Sequence, residues 1–148
     1  MLQEEWDFDR INQEGYRAVI DDAVQTFKTA DMNSAYGGAI VLDSLEELRG
    51  YNPDEVTRAL GEFAFAQNPD IDDFEAELVA NQIGAALNNE MGAVVDAMQR
   101  GELYEIVQIL ADNGVPYDRA NQFQVFLFGL RDEDFDGLLN IMESVRWN

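Results

Sequence analysis

Apolar residues return every three or four positions along most of the chain, the period of a helix that buries one face. Tyr16, Val19, Ile20, Ala23, Val24 and Phe27 trace the first such stripe, and Ile40, Leu42, Leu45 and Leu48 trace a second. Gly37 and Gly38 weaken the first turns of that second helix, and Arg49-Gly50 marks its end. NPDEV at residues 52–56 then opens a third. Asn52 suits the N-cap, Pro53 the first helical position, and Asp54 and Glu55 complement the positive end of the helix. Val56, Leu60, Phe63 and Ala64 form its expected buried face. NPDID at residues 68–72 repeats the signal and opens a helix expected to bury Ile71, Phe74, Leu78 and Ile83. The echo reads as two similar turn-to-helix caps rather than a repeat.

Four shorter helices follow. Met91, Val94, Val95 and Met98 make one, stopped at Arg100-Gly101; Leu103, Ile106, Val107 and Leu110 make the next, stopped at Asp112-Asn113-Gly114. After the Val115-Pro116 turn, Phe123, Val125, Phe126, Leu127, Phe128 and Leu130 give a helix apolar nearly all round. That pattern predicts the central helix of the bundle. The last stripe runs through Phe135, Leu138, Leu139, Met142 and Val145. Strand alternation is sustained nowhere. The fold expected is all-α, a single compact bundle of about seven or eight short-to-medium helices joined by short turns. Residues 1–148 form one acidic helical domain, with Phe63, Leu78, Val94, Ile106, Phe126 and Leu139 in its core.

Composition sharpens this picture. Apolar residues at 47% suffice for a real core, so this is not a disordered acidic tail. Apolar runs are far short of a membrane span, and MLQEEWDFDR is acidic where a secretory signal would be basic. The expectation is a soluble, cytoplasmic protein, in the host cytoplasm if the source is viral. Histidine and cysteine are both absent. Ser-His-Asp and Cys-His sites are therefore impossible, as are zinc sites built on those ligands and the Glu-x-x-His di-iron pattern. Without cysteine there is no disulfide framework to indicate a redox compartment.

Charge changes the picture most. Thirty acids oppose nine bases, a formal net charge of −21. A small domain is comfortable at a magnitude of roughly 2–8, and the excess opposes folding through self-repulsion. Only Lys28 is lysine; the other eight bases are arginine.

DEDFDGLLNIME at residues 132–143 resembles the calcium loop of EF-hand proteins. Asp132, Asp134 and Asp136 take the first, third and fifth positions, Gly137 the sharp turn and Glu143 the bidentate twelfth. The resemblance implies a calcium site at Asp132, Asp134, Asp136 and Glu143. It covers 12 residues, no partner loop occurs, and only five residues follow Glu143. The unbroken stripe from Phe135 to Val145 predicts a helix instead, capped by Asp132, with Glu133, Asp134 and Asp136 complementing its dipole.

A second acidic cluster, Asp70, Asp72, Asp73, Glu75 and Glu77, places five carboxylates in eight residues. Carboxylate pairs one turn apart on facing helices hold magnesium in all-α pyrophosphohydrolases, and Asp43-x-x-Glu46 would supply a second pair. Few bases lie nearby to hold substrate phosphates, so a solvated acidic face is the plainer reading. No cofactor is expected.

The charge disfavours direct nucleic-acid binding, because lysine and arginine make the contacts that release counterions. It favours the converse. Acids three or four apart on a helix repeat at about 5–6 Å, and rows of them approximate a phosphate track. Small acidic phage proteins use such tracks to occupy the nucleic-acid site of a host enzyme. The expected function is a non-enzymatic inhibitor of a basic partner that normally binds DNA or RNA. Its expected contact residues are Asp70, Asp72, Asp73, Glu75, Glu77, Asp43, Glu46, Glu47, Asp132, Glu133, Asp134 and Asp136. The alternative is a salt-adapted helical structural or assembly protein.

Overall fold

A computed structural model describes residues 18–30 and 35–146. Tyr16 of the first stripe and the acidic stretch 1–10 lie outside these. The described residues form α-helices with no strand. They are α1 (residues 18–27), α2 (Ala35–Tyr51), α3 (Val56–Ala66), α4 (Asp73–Asn89), α5 (Met91–Arg100), α6 (Tyr104–Asp112), α7 (Tyr117–Gly129) and α8 (Asp132–Arg146). The fold is all-α. No helix among the described residues is long and apolar enough to cross a membrane.

Two of the three glycine stop signals act as expected, whereas Gly50 lies within the last turn of α2, which runs on to Tyr51. Gly101 ends α5 with φ 73°, its N–H donating to the Ala97 and Met98 carbonyls. Gly114 takes φ 92° after α6. Both adopt the left-handed conformation that glycine enters without a Cβ clash.

The two NPD signals resolve differently. Pro53 opens a short 3-10 turn, Pro53–Glu55, that leads into α3, and the Asn52 side chain makes no capping bond. In the second, Asn68 Oδ1 accepts from the Asp70 N–H at 2.9 Å. The chain turns there, and α4 begins only at Asp73. Its N-cap is Asp72, whose Oδ1 accepts from the Glu75 N–H at 2.7 Å.

The central helix is α3, not α7. It packs against α2, α4 and α7 and buries Val56, Thr57, Ala59, Leu60, Gly61, Phe63 and Phe65. On α7, Phe123 and Phe126 are buried while Val125 and Phe128 stay exposed. Phe27 of α1 meets Phe63 edge-on at 5.6 Å and Phe126 at 6.3 Å, so three helices share one aromatic contact.

Four of the six expected core residues, Phe63, Val94, Ile106 and Phe126, are buried, and Leu139 is partly buried. Leu78 is not: it is 50% exposed, and Phe74 78%. The face α4 buries is Val79, Ala80, Ile83, Gly84, Ala86 and Leu87. Small residues fix that rotation. A Cβ on Gly84 would lie 3.0 Å from the backbone of Arg58, and one on Gly61 would lie 3.0 Å from Ala80 Cα. The two helices therefore cross almost backbone to backbone. Thr57, fully buried at the crossing, directs its hydroxyl to Gly84 O at 3.2 Å and Asn88 Oδ1 at 3.1 Å.

Candidate acidic partner-binding surface

The acids expected to form one track divide between two places. The first is the start of α4. Asp70, Asp72, Asp73 and Glu77 are exposed there, and Glu75 is half-buried. Bases from three other parts of the chain converge on this row. Lys28, in the turn just after α1, bonds Asp73 at 2.9 Å, Arg119 of α7 bonds Glu75 at 2.6 Å, and Arg58 of α3 reaches Glu77 at 3.3 Å. Arg58 also serves Glu62 of its own helix at 3.4 Å. This run of five acids in eight residues is thus one where cations gather, and Asp72 is committed to capping. Beside it, a groove of about 550 Å³ is lined by Asp21, Lys28, Phe65, Ile71, Asp73 and Glu77, among others.

The second place is the α2–α8 seam. A Cβ on Gly38 would enter the Asp134 carboxylate, and one on Gly137 would lie 2.8 Å from Leu42 Cδ1. Residue numbers rise together along the contact, so the helices run in the same direction. Asp43 follows Leu42, and Asp136 precedes Gly137, so both flank the contact. Asp43, Glu46, Glu47, Asp132, Glu133 and Asp136 are all exposed. Arg49 pairs with Glu46 at 2.6 Å and Arg131 with Glu133 at 2.8 Å. Asp43, Asp132 and Asp136 meet no cation among the described residues.

Asp134 departs from the expected track. Its Oδ2 is buried with no hydrogen-bond partner among the described residues, set against Gly38 where a side chain is missing. The reason lies in the helix period. Asp134, Leu138 and Ile141 are spaced i, i+4 and i+7, so they share a face, and Leu138 and Ile141 are buried. The positive end of α2 nearby suits a carboxylate.

The calcium-loop geometry is absent. Residues 132–146 are one helix, in which Asp132 and Glu143 stand about 16 Å apart along the axis and cannot share an ion. The magnesium alternative fares no better. The main contacts of α2 are with α3 and α8, and those of α4 are with α3, α5 and α6, so their carboxylate pairs are not brought face to face. Among the described residues no three metal-binding side chains converge.

Six described cationic side chains, Lys28, Arg49, Arg58, Arg100, Arg119 and Arg131, all engage carboxylates. Arg100 is the most heavily committed. Its pKa is raised, first by its hydrogen bond to Glu105 and then by that to Asp96. No family model, curated protein or solved structure matches the chain.

Sequence reasoning missed Phe74 and Leu78 as surface residues. The signal was present. A residue turns 100° on a helix, so Ile83 lies roughly 140° from Leu78 and cannot share its face.

Proposed function

We propose that this protein is a non-enzymatic acidic binder that occupies the basic groove of a partner otherwise holding DNA or RNA. Its contact surface is the α2–α8 seam. The observation that carries this reading is the distribution of counter-charge. Every described cation whose side chain is placed is engaged by the protein's own acids, while Asp43, Asp132 and Asp136 stand exposed on one pair of parallel helices with no cation against them among the described residues. Acids one turn apart, such as Asp132 and Asp136, repeat at about 6 Å. Parallel helices set two such rows about 8–10 Å apart. A basic groove shaped for phosphates can accept such rows, as in viral proteins that inhibit host nucleic-acid enzymes.

The exposed pair Phe74 and Leu78, on the same first turns of α4 as Asp73 and Glu77, supplies a second contact of different character. An apolar anchor inside a charged rim is a common interface arrangement.

The experiment is a pull-down from source-organism lysate at low salt, followed by competition between the captured partner's nucleic acid and this protein. A variant carrying Asp43→Asn, Glu46→Gln, Asp132→Asn and Asp136→Asn should associate more slowly, because rim charges act mainly on the association rate. Its binding should also depend less on salt. A second variant, Asp70→Asn with Asp73→Asn and Glu77→Gln, should lose less. A partner that binds this protein and nucleic acid at the same time would refute the proposal.

A further inference from the structure

Asn113-Gly114, at the end of α6, takes no part in the acidic surface, and it is the single asparagine–glycine pair in the chain. Such a pair can modify itself. The backbone nitrogen of Gly114 can close a ring on the Asn113 side-chain carbonyl carbon, because glycine has no Cβ to hinder the approach. Every other asparagine with a residue after it is followed by one that carries a Cβ, and Asn52 and Asn68 are followed by proline, which has no N–H to lose. The turn that holds the pair is well bonded. The Gly114 N–H donates to the Ala111 carbonyl at 3.1 Å and the Val115 N–H to the Leu110 carbonyl at 3.1 Å, the paired bonds of a glycine-terminated helix. Asn113 Nδ2 donates to the Ile109 carbonyl at 2.9 Å, which draws the carboxamide back along its own helix. Asn113 has ψ 18°. Gly114 N therefore nearly eclipses the Asn113 nitrogen and stands about a third of a turn around the Cα–C bond from Cβ. The attacking nitrogen is thus turned away from Cγ. Leu110 and Val115 are buried and hold the turn against the core, while Asn113 is half-buried and Gly114 exposed.

We propose that Asn113 is a site of spontaneous deamidation gated by the turn between α6 and α7. The reaction needs only the chain and water. Gly114 N attacks Asn113 Cγ; the N–Cγ bond forms, the Cγ–Nδ2 bond breaks, and the Gly114 proton leaves with the side-chain nitrogen as ammonia. Water then opens the cyclic imide at either carbonyl, leaving aspartate or isoaspartate at position 113. In the folded chain the Gly114 and Asn113 side-chain hydrogen bonds must break and ψ must rotate first, so the reaction runs through local opening of the turn. The product cannot rebuild the turn as it was. A carboxylate has no donor for the Ile109 carbonyl, and it adds charge at the negative end of α6, where Asp112 is already exposed. Isoaspartate also reroutes the backbone through the former side chain and puts the Gly114 and Val115 bonds out of register. Deamidation therefore loosens the junction of α6 and α7, which pack against each other. It marks irreversibly the molecules whose turn has been open. None of this involves the acids of α2 and α8, so it stands apart from the proposed function.

The test incubates the full chain at mildly alkaline pH, in buffer and in urea above its unfolding midpoint. Peptide mass spectrometry locates each converted asparagine, and chromatography separates the aspartate and isoaspartate products. In urea, residue 113 should convert before any other asparagine. In buffer its conversion should be more than about tenfold slower, because the folded turn must open first. Asn113→Gln, whose longer side chain closes a larger ring far more slowly, should remove the conversion at 113; circular dichroism checks that this variant folds. Asn113→Asp, one of the two products, should lower the melting temperature and speed hydrogen exchange at the Gly114 and Val115 amides more than at those of α3. Equal rates at 113 in buffer and urea would overturn the gating. An unfolded chain in which another asparagine converts first would overturn the site. An Asn113→Asp variant as stable and as protected as the parent would overturn the loosening of the junction.

Discussion

Gly84 and Gly50 show how one residue type serves opposite ends. At Gly84 the α3 backbone leaves no room, with Arg58 N and Cα both 3.0 Å from where a Cβ would sit. At Gly50, in the last turn of α2, nothing lies within 4 Å. Alanine raises helix propensity at either site by up to ~1 kcal/mol. At Gly84 that gain is overridden, because overpacking against a backbone that cannot rotate away costs about 1–3 kcal/mol. Gly84→Ala should therefore destabilise the protein by about 1–2 kcal/mol net, whereas Gly50→Ala should stabilise it by about 0.5 kcal/mol. Urea unfolding of the two variants checks both signs. The steric role of Gly84 was not legible in the sequence. An isolated glycine in a helical pattern signals only a local cost; its reason is the neighbour it admits.

At the scale of elements, α8 is the instructive case. Its twelve residues DEDFDGLLNIME satisfy a calcium-loop pattern and a helical stripe at once. The helix wins because the stripe has core to meet: Leu138, Ile141 and Met142 are buried. A loop at the same residues would bring Leu138 and Ile141 out of register with it. Titration with calcium should accordingly give no saturable heat at micromolar metal. Heat that saturates there and disappears with Glu143→Gln would require the helix to unwind. Element α4 teaches the complementary lesson. Its existence was legible from NPDID and the apolar positions after it, but its start and rotation were not. Asp72, not Asn68, supplies the cap, and the Gly84–Arg58 approach turns Phe74 and Leu78 outward. The α7 expectation failed for a related reason. An all-round apolar pattern usually marks a buried helix, yet Val125 and Phe128 form part of an exposed face.

For the whole molecule, charge is the governing term. The ion pairs at the start of α4 and around Arg100 relieve part of the repulsion, but surface pairs are individually weak, and nine bases cannot neutralise thirty acids. The melting temperature should rise as sodium chloride increases toward ~0.5 M, because screening removes repulsion between unpaired acids faster than it weakens the few pairs. Differential scanning calorimetry checks this. A falling melting temperature would mean that the ion pairs outweigh the repulsion. The same experiment separates the two roles the acids can play. Salt that stabilises the fold while loosening a basic partner points to a binding surface whose cost is met in folding stability. Salt that stabilises without any partner emerging points to solubility in concentrated electrolyte.

The sequence by itself determined the helical class, the approximate number of helices, most of the large core residues and the −21 charge. Each follows from local periodicity, capping chemistry or a count, and none needs a neighbour. Tertiary structure alone decided which acids stay exposed and unpaired. Lys28 from the turn after α1, Arg58 from α3 and Arg119 from α7 come to the α4 row, across separations of 45, 19 and 44 residues. Asp43 and Asp136 belong to one seam because Gly38 and Gly137 let α2 and α8 close. Charge is additive along a chain, but its neutralisation depends on distance in space, and that distance is set by packing.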